Sequence, residues 1–255
     1  TDTGIQLNEA QNKVVQSALG LNNLLLIQGP PGTGKTITIA KIVQKMYNEG
    51  KTILLSCFTH RAIDELIRKI ALHAPDVPLY RIGSFSLDEN INHYNMEDSN
   101  TKESNIKEEI KGISEIIDKS PVYIGTSQAW LSGKYDNLIK KELYDVAIID
   151  EASQMTLPNS IGVIRHSKKF ILVGDHFQQP PIIQSKNAKE LSRTLFQILF
   201  ENDILPESTK IMLDTQHRMN PVIGDFISGV FYNNKLKHSH AIDQKKIYNS
   251  SDSHL

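Results

Sequence analysis

The stretch Gly29-Pro30-Pro31-Gly32-Thr33-Gly34-Lys35-Thr36 limits the folds open to this 255-residue chain more than any other. It follows the apolar run Leu24-Leu25-Leu26-Ile27-Gln28 directly and opens a helical pattern that continues to Tyr47. Glycines at such a strand-to-helix junction let successive backbone N–H groups turn toward one point, at the positive end of the helix, and form a nest for phosphate. Lys35 then reaches the β- and γ-phosphates of a nucleotide, and the Thr36 hydroxyl takes one position on Mg2+. The rest of the chain provides the matching sheet, because short apolar runs alternate with helical patterns, the signature of parallel strands with crossover helices. Strands are expected at residues 24–28, 52–56, 122–126, 145–149, 170–173 and 210–213, and helices at 36–47, 62–72 and 191–200. The strands read as nearly continuous apolar runs, as strands buried on both faces do. The fold class is α/β, a parallel-sheet P-loop nucleotide-binding domain over residues 1–213.

Mg2+ beside such a loop needs an acidic ligand from a neighbouring strand. Asp145-Val146-Ala147-Ile148-Ile149-Asp150-Glu151-Ala152 delivers two adjacent acids at the C-terminal end of an apolar run. That is where open α/β sheets hold their ligands. Asp150 is placed to hold Mg2+, directly or through water, and Glu151 to orient and deprotonate an attacking water. The cofactors expected are ATP and Mg2+.

Composition narrows the partners and the compartment. Twenty-eight basic residues against 29 acidic ones give a net charge of −1, which excludes a histone-like or tail-driven nucleic-acid binder but not a focused groove. Cys57 is the single cysteine, so no internal disulfide forms, and a reducing, intracellular compartment is the easier reading. The apolar runs fall far short of the roughly 18 residues that span a bilayer, and the polar opening does not resemble a signal peptide. Two regions leave the sheet rhythm. Residues 84–120 turn polar and acidic, then carry Ile106, Ile110, Ile113 and Ile117 at helical spacing, so a loop and an amphipathic helix inserted into the domain are expected there. Residues 237–255 have little to bury and are expected to be a disordered or truncated polar tail, with His238 and His240 at the surface.

Three further segments carry a resemblance. Leu7-Asn8-Glu9-Ala10-Gln11 precedes the phosphate loop, Gly174-Asp175-His176-Phe177-Gln178-Gln179-Pro180-Pro181 follows one strand, and Leu213-Asp214-Thr215-Gln216-His217-Arg218-Met219-Asn220-Pro221 follows the last. With the loop and the acidic strand, and in this order, they make the chain resemble the superfamily 1 helicases, in particular the 5′-to-3′ group, from about residue 7 to residue 236. The resemblance implies a RecA-like first motor domain, with residues 214–236 as the start of a second one. It also implies that Gln11 reads the adenine edge, that Gln178 senses the γ-phosphate together with Asp175, and that Arg218 crosses the interdomain cleft to the γ-phosphate. His217 stands where the family commonly has a tyrosine packed on the base.

Ser56-Cys57-Phe58-Thr59-His60-Arg61 and Gly125-Thr126-Ser127 resemble segments that grip a single-strand backbone, which points to Thr59, His60, Thr126 and Ser127. Hydroxyls and helix N-termini bind phosphates without a large net charge. A single strand is thus the expected partner, with DNA favoured over RNA by the run Ala188-Lys189-Glu190-Leu191-Ser192-Arg193-Thr194-Leu195-Phe196. Residues 105–119 match the place of an accessory stalk. The later family motifs are not found, and Thr1 stands at the start, so a fragment holding one motor half is expected. A non-catalytic, nucleotide-gated clamp on nucleic acid and an ATPase working on protein remain the other readings.

Overall fold

The computed structural model describes residues 6–84, 86, 88–94, 122–135, 143–183 and 192–239. In chain order the elements are α1 (Glu9–Leu19), β1 (Leu24–Gln28), α2 (Lys35–Asn48), β2 (Ile53–Cys57), α3 (His60–His73), β3 (Leu79–Arg81), β4 (Val122–Thr126), α4 (Ser127–Leu131), β5 (Tyr144–Ile149), α5 (Leu157–Ile164), β6 (Ser167–Gly174), α6 (Leu195–Phe200), β7 (Lys210–Met212), β8 (Thr215–Gln216), α7 (Pro221–Phe231) and β9 (Lys237–His238). Seven strands form one sheet in the order β3-β4-β2-β5-β6-β1-β7, and its strand pairs are all parallel. The chain leaves β1 toward β2, passing β6 and β5, whereas it leaves β6 toward β7 on the other side of β1. The C-terminal ends of β1 and β6 therefore flank the crevice where ligands bind in such sheets.

Alternation along the strands divides the core in two. Leu25 and Ile27 of β1, Leu55 of β2, Ile148 of β5 and Ile171 and Val173 of β6 pack with Val14 of α1, Ile39 and Val43 of α2 and Ile63 and Ile67 of α3. Leu26, Leu54, Ile149 and Leu172 point the other way, to Trp130 of α4, Val163 of α5 and Phe196 of α6. A sheet covered on both faces needs apolar side chains at successive positions, and the burial of the strands follows that rule.

Two expected strands, 24–28 and 122–126, have the observed bounds, and the other four shift by a few residues at their ends. β3 was not expected, since a three-residue strand that ends in arginine has no apolar run to show. Helix α1 is set by a capping box in which the Asn8 side chain accepts from Gln11 N and the Gln11 side chain accepts from Asn8 N. The isoleucine-spaced helix at 105–119 lies outside the described residues; nearer the start of the expected insertion, Glu89–Tyr94 forms a 3₁₀ turn. The start of the expected tail needs correction. Lys237 and His238 pair in parallel with Thr215 and Gln216, and His238 is only 18% exposed, its Nε2 2.7 Å from Asp225 Oδ1. A backbone ladder and an aspartate partner thus order what composition alone presents as polar chain; His240 lies outside the described residues. Among the described residues no helix is long and apolar enough to cross a membrane.

β3 ends in Arg81, whose side chain is fully buried and paired with Asp64 of α3. Arg81 Nη2 lies 3.2 Å from His60 Nδ1, and Ser86 Oγ donates to Asp64 Oδ2 at 2.8 Å. Removing one member of a buried pair strands the other, at about 3–5 kcal/mol. Arg81→Ala is therefore expected to lower the unfolding free energy by about 3 kcal/mol, read in a urea titration through the fluorescence of Trp130, the chain's one tryptophan. A change below about 1 kcal/mol would show that the pair does not anchor the β3 edge.

Candidate nucleotide site

The loop after β1 is tied to the sheet by Gly29 N, which donates to Gly174 O at the end of β6 at 2.9 Å. Thr33 folds the turn back, its N and Oγ1 donating to Pro30 O at 3.3 and 2.8 Å. Gly32 and Gly34 take φ values of +77° and +81°, the left-handed region open to glycine at no steric cost. A methyl group at Gly29 would stand 2.2 Å from Lys35 Cγ, so the bare backbone there is the bed on which the lysine lies. Lys35 Nζ donates to Gly29 O at 2.6 Å. A cavity of about 460 Å3 opens over the loop, lined by Gln11, Gly32, Thr33, Gly34, Lys35, Thr36, His217 and Arg218. It also reaches Gln6, Glu65 and Lys69, which the sequence did not single out. Pro30 and Pro31 stiffen the loop's first turn at fixed φ.

Asp150 follows β5, 6% exposed, with Oδ1 accepting from Glu151 N at 2.9 Å. Burial pushes its carboxyl up, against the pull of the Lys35 ammonium and the Glu151 N–H. Burial likewise raises the Glu151 carboxyl, and the neighbouring Asp150 raises it further; Lys35 and a hydrogen bond from the Thr59 side chain oppose this. Lys35 is lowered chiefly by burial and also by Arg218, while Asp150, Asp175 and Glu151 raise it. Glu151 sits at φ +55°, uncommon for a residue with a side chain. Its Oε2 is buried with no hydrogen-bond partner among the described residues. An orphaned acceptor of this kind is a place for a water.

These residues fit a Mg2+-nucleotide. The glycine-walled cradle has room for phosphate, and Thr36 and Asp150 form the sparse oxygen set that Mg2+ uses when phosphates and water complete its shell. Among the described residues no cluster of three His, Cys, Asp or Glu forms an all-protein metal site.

Gln178 and Arg218 come to the same edge from different segments. Gln178 Nε2 donates to Asp175 Oδ2 at 2.7 Å and lies 3.5 Å from Gly29 O. Arg218 crosses the loop so closely that a methyl at Gly32 would stand 2.6 Å from its Cβ. His217 N donates to Gly32 O at 2.9 Å, and its exposed ring borders the cavity. Gln11 also has a structural part to play. Its Oε1 accepts from Asn8 N at 3.0 Å and its Nε2 donates to Thr33 O at 3.1 Å, so the amide braces the loop and keeps one N–H and one acceptor lone pair for further bonds.

The four strand-gripping candidates divide. Thr59 caps α3, its Oγ1 accepting from Ala62 N at 3.1 Å, and also bonds Glu151. The exposed His60 is steadied by Arg81. Thr126 and Ser127 are 5% and 0% exposed, with Thr126 capping α4 and Ser127 Oγ donating to Gln128 Oε1. Their hydroxyls hold the short helix, so the surface that this pair was expected to offer a strand is internal in this conformation.

The raised Glu151 carboxyl has a thermodynamic consequence. Its folded-state pKa lies above the ordinary value of 4.5, so the folded protein holds the proton more firmly than the unfolded one. Ionisation therefore costs stability as pH rises from that ordinary value through the folded one. Glu151→Gln is expected to melt a few degrees above the parent at about pH 8 without nucleotide, and to lose that advantage toward about pH 4.5. Thermal unfolding of both proteins across this range is the measurement, and equal melting at the higher pH would remove the burial penalty from the account.

Two family models, each described as an AAA domain, match the chain, one over residues 6–121 and 88–186 and the other over residues 191–254. The DNA replication ATP-dependent helicase/nuclease dna2 of Schizosaccharomyces pombe is 34% identical over 244 residues, covering 94% of this chain and 16% of the relative. The human DNA replication ATP-dependent helicase/nuclease DNA2 is 31% identical over 235 residues, covering 91% and 21%. The chain thus spans about a sixth to a fifth of the length of these relatives. The crystal structure of Arterivirus nonstructural protein 10 (helicase) matches with a TM-score of 0.50 at 16% identity, covering 90% of this chain and 43% of that one. The ATP-dependent Type ISP restriction-modification enzyme LlaBIII bound to DNA also gives 0.50 at 16% identity, over 72% and 13%. At such identities the likeness is one of fold. The first model alone spans more than half of the chain, and the chain belongs to the AAA-domain family as a RecA-like domain of the superfamily 1 helicase kind.

Proposed function

We propose that this chain is the nucleotide-hydrolysing half of a helicase that uses ATP and Mg2+ to move 5′ to 3′ along single-stranded DNA. The observation that carries the reading is the convergence of Lys35, Asp150, Glu151, Gln178 and Arg218 on one edge of the sheet. The loop N–H groups and Lys35 would bind the β- and γ-phosphates, and Thr36 and Asp150 would hold Mg2+, which would supply positive charge beside those phosphates. The vacant acceptor of Glu151 orients an attacking water and takes its proton. A carboxyl raised by burial is a better base at neutral pH than an ordinary one. Arg218, stationed at Gly32, offers a fixed positive charge to the transition state.

Support for a nucleic-acid partner comes from α3. The N-terminus of this 14-residue helix and the exposed His60 lie beside Thr59, whose hydroxyl also bonds Glu151. A strand phosphate at that helix end would share Thr59 with the base, a short physical link between strand binding and hydrolysis. The names of the helicase/nuclease relatives favour DNA, and the 5′-to-3′ direction rests on the motif resemblance. The share of the relatives that the chain covers supports a half motor, with residues 214–236 beginning the second RecA-like unit.

For the chain alone, Mg2+-nucleotide binding is expected to be weak and turnover slight, because in the proposed motor a second domain supplies the opposite wall of the cleft. Strong stimulation of its phosphate release by an oligonucleotide would refute the half-motor reading. In a complete motor containing the chain, Lys35→Ala abolishes hydrolysis, whereas Glu151→Gln still binds ATP and slows cleavage by about 100-fold or more. Near-normal turnover in Glu151→Gln would overturn the assignment of the base. Duplexes with a 5′ or a 3′ single-stranded tail, in DNA and in RNA, test direction and substrate, the 5′-tailed DNA being the one expected to unwind.

A further inference from the structure

Asp175 is 1% exposed, and both its carboxylate oxygens are engaged. Oδ1 takes Gln28 Nε2 at 3.4 Å and Phe177 N at 3.3 Å; Oδ2 takes Gln178 Nε2 at 2.7 Å and the Tyr232 hydroxyl at 2.5 Å. Four donors match the roughly four lone-pair positions of a carboxylate. Three come from the sheet and the loop after β6. The fourth, Tyr232, arrives from the residue that follows α7 and is 5% exposed. Its ring meets Phe177 edge-on at 5.5 Å, and the adjacent Phe231 lies 6.0 Å from the same phenylalanine. The end of α7 therefore grips the loop twice, by ring packing on Phe177 and by a hydroxyl on Asp175.

Gln178 itself is exposed, and an exposed amide has no fixed rotamer of its own. One N–H is fixed on Asp175 Oδ2, and Nε2 is 3.5 Å from Gly29 O on the phosphate loop. That separation is at the outer limit of a hydrogen bond, so the second N–H can pass to a γ-phosphate oxygen at little cost. Its direction depends on Asp175 Oδ2 staying in place, and the Tyr232 hydroxyl is the other donor that holds this oxygen.

We propose that Tyr232 is a positioning residue which, through Asp175, aims Gln178 at the γ-phosphate, so that the segment after α7 sets how well the site tells ATP from ADP. The proposal rests on the function proposed above, and the closing experiment separates the two. Calorimetry on a complete motor containing the chain compares Mg2+-ADP with a Mg2+-bound ATP analogue bearing a β,γ-methylene bridge, for the parent, Tyr232→Phe and Phe231→Leu, with thermal melting of each. The parent is expected to prefer the analogue. Tyr232→Phe keeps the ring and loses only the hydroxyl; it is expected to bind the analogue about five- to tenfold more weakly and ADP within about twofold of the parent. Phe231→Leu loses ring contact with Phe177 but no hydrogen bond, and is expected to keep the preference. An unchanged preference in Tyr232→Phe overturns the proposal, as does an equal weakening of both ligands with a lowered melting point, or an equal loss of preference in Phe231→Leu. A parent that binds neither nucleotide, or both alike, overturns the underlying function and Tyr232's role with it.

Discussion

The organising constraint of this structure is a set of charges held away from water at one edge of a sheet. Lys35, Asp150 and Glu151 influence one another's protonation, Asp175 adds to the pull on Lys35, and burial is the largest influence on all three. Asp175 has its oxygens filled by four donors, whereas Glu151 is left with an acceptor unpaired among the described residues. Buried polar groups without partners cost a folded protein stability. Under the proposed function, a Mg2+-nucleotide would bring a cation, donors and water to this edge. The rest of the fold supplies rigidity around this deficit: two apolar layers over the sheet, a capping box bracing the loop through Gln11, and β6 set between the strand that ends in the loop and the strand that ends in the acids.

A second theme is that the site is assembled from segments far apart in sequence which touch through very few atoms. Gly32 meets Arg218 where a methyl would not fit. Asp175 meets Tyr232 through one hydroxyl, and Thr59 meets Glu151 through another. Each contact joins an element at the phosphate loop or the acidic strand to one that faces elsewhere, toward α7 or toward the N-terminal end of α3. Such joints are small enough to be made and broken within a catalytic cycle, since each amounts to one or two hydrogen bonds.

Much of this could be read from the sequence, for reasons that particular residues make plain. The loop announces itself because nests and left-handed glycines admit few substitutes, and Asp150-Glu151 follows because an apolar run ending in two acids is rare in a buried strand. What stayed hidden was whatever depends on pairing across the chain. Arg81 reads as an ordinary polar residue, and nothing local says that Asp64 waits for it inside the domain. Tyr232 looks like part of an aromatic run, and its hydroxyl acquires meaning only beside Asp175. Thr126 and Ser127 show the reverse case, since a hydroxyl-bearing segment has the same sequence whether its side chains face a ligand or the interior. Gln11 was visible as a site residue, but its brace on Thr33 O was not. The pairing of β8 with β9 likewise gives structure to Lys237 and His238, whose composition suggests none.

The position of β1 within the sheet also bears on how the molecule comes into being. Its neighbours are β6 and β7, so Leu24 waits for Phe170, and Leu26 for Lys210. On a ribosome the phosphate loop emerges before β6 and β7, attached to an apolar strand whose partners are still to come, and those edges close only when both have followed. Long-range parallel pairing of this sort is slow and leaves sticky surface uncovered while it proceeds. The loop is thus made before the strands that support it and is completed only with the last of them, so its final shape certifies that the sheet around it has finished folding.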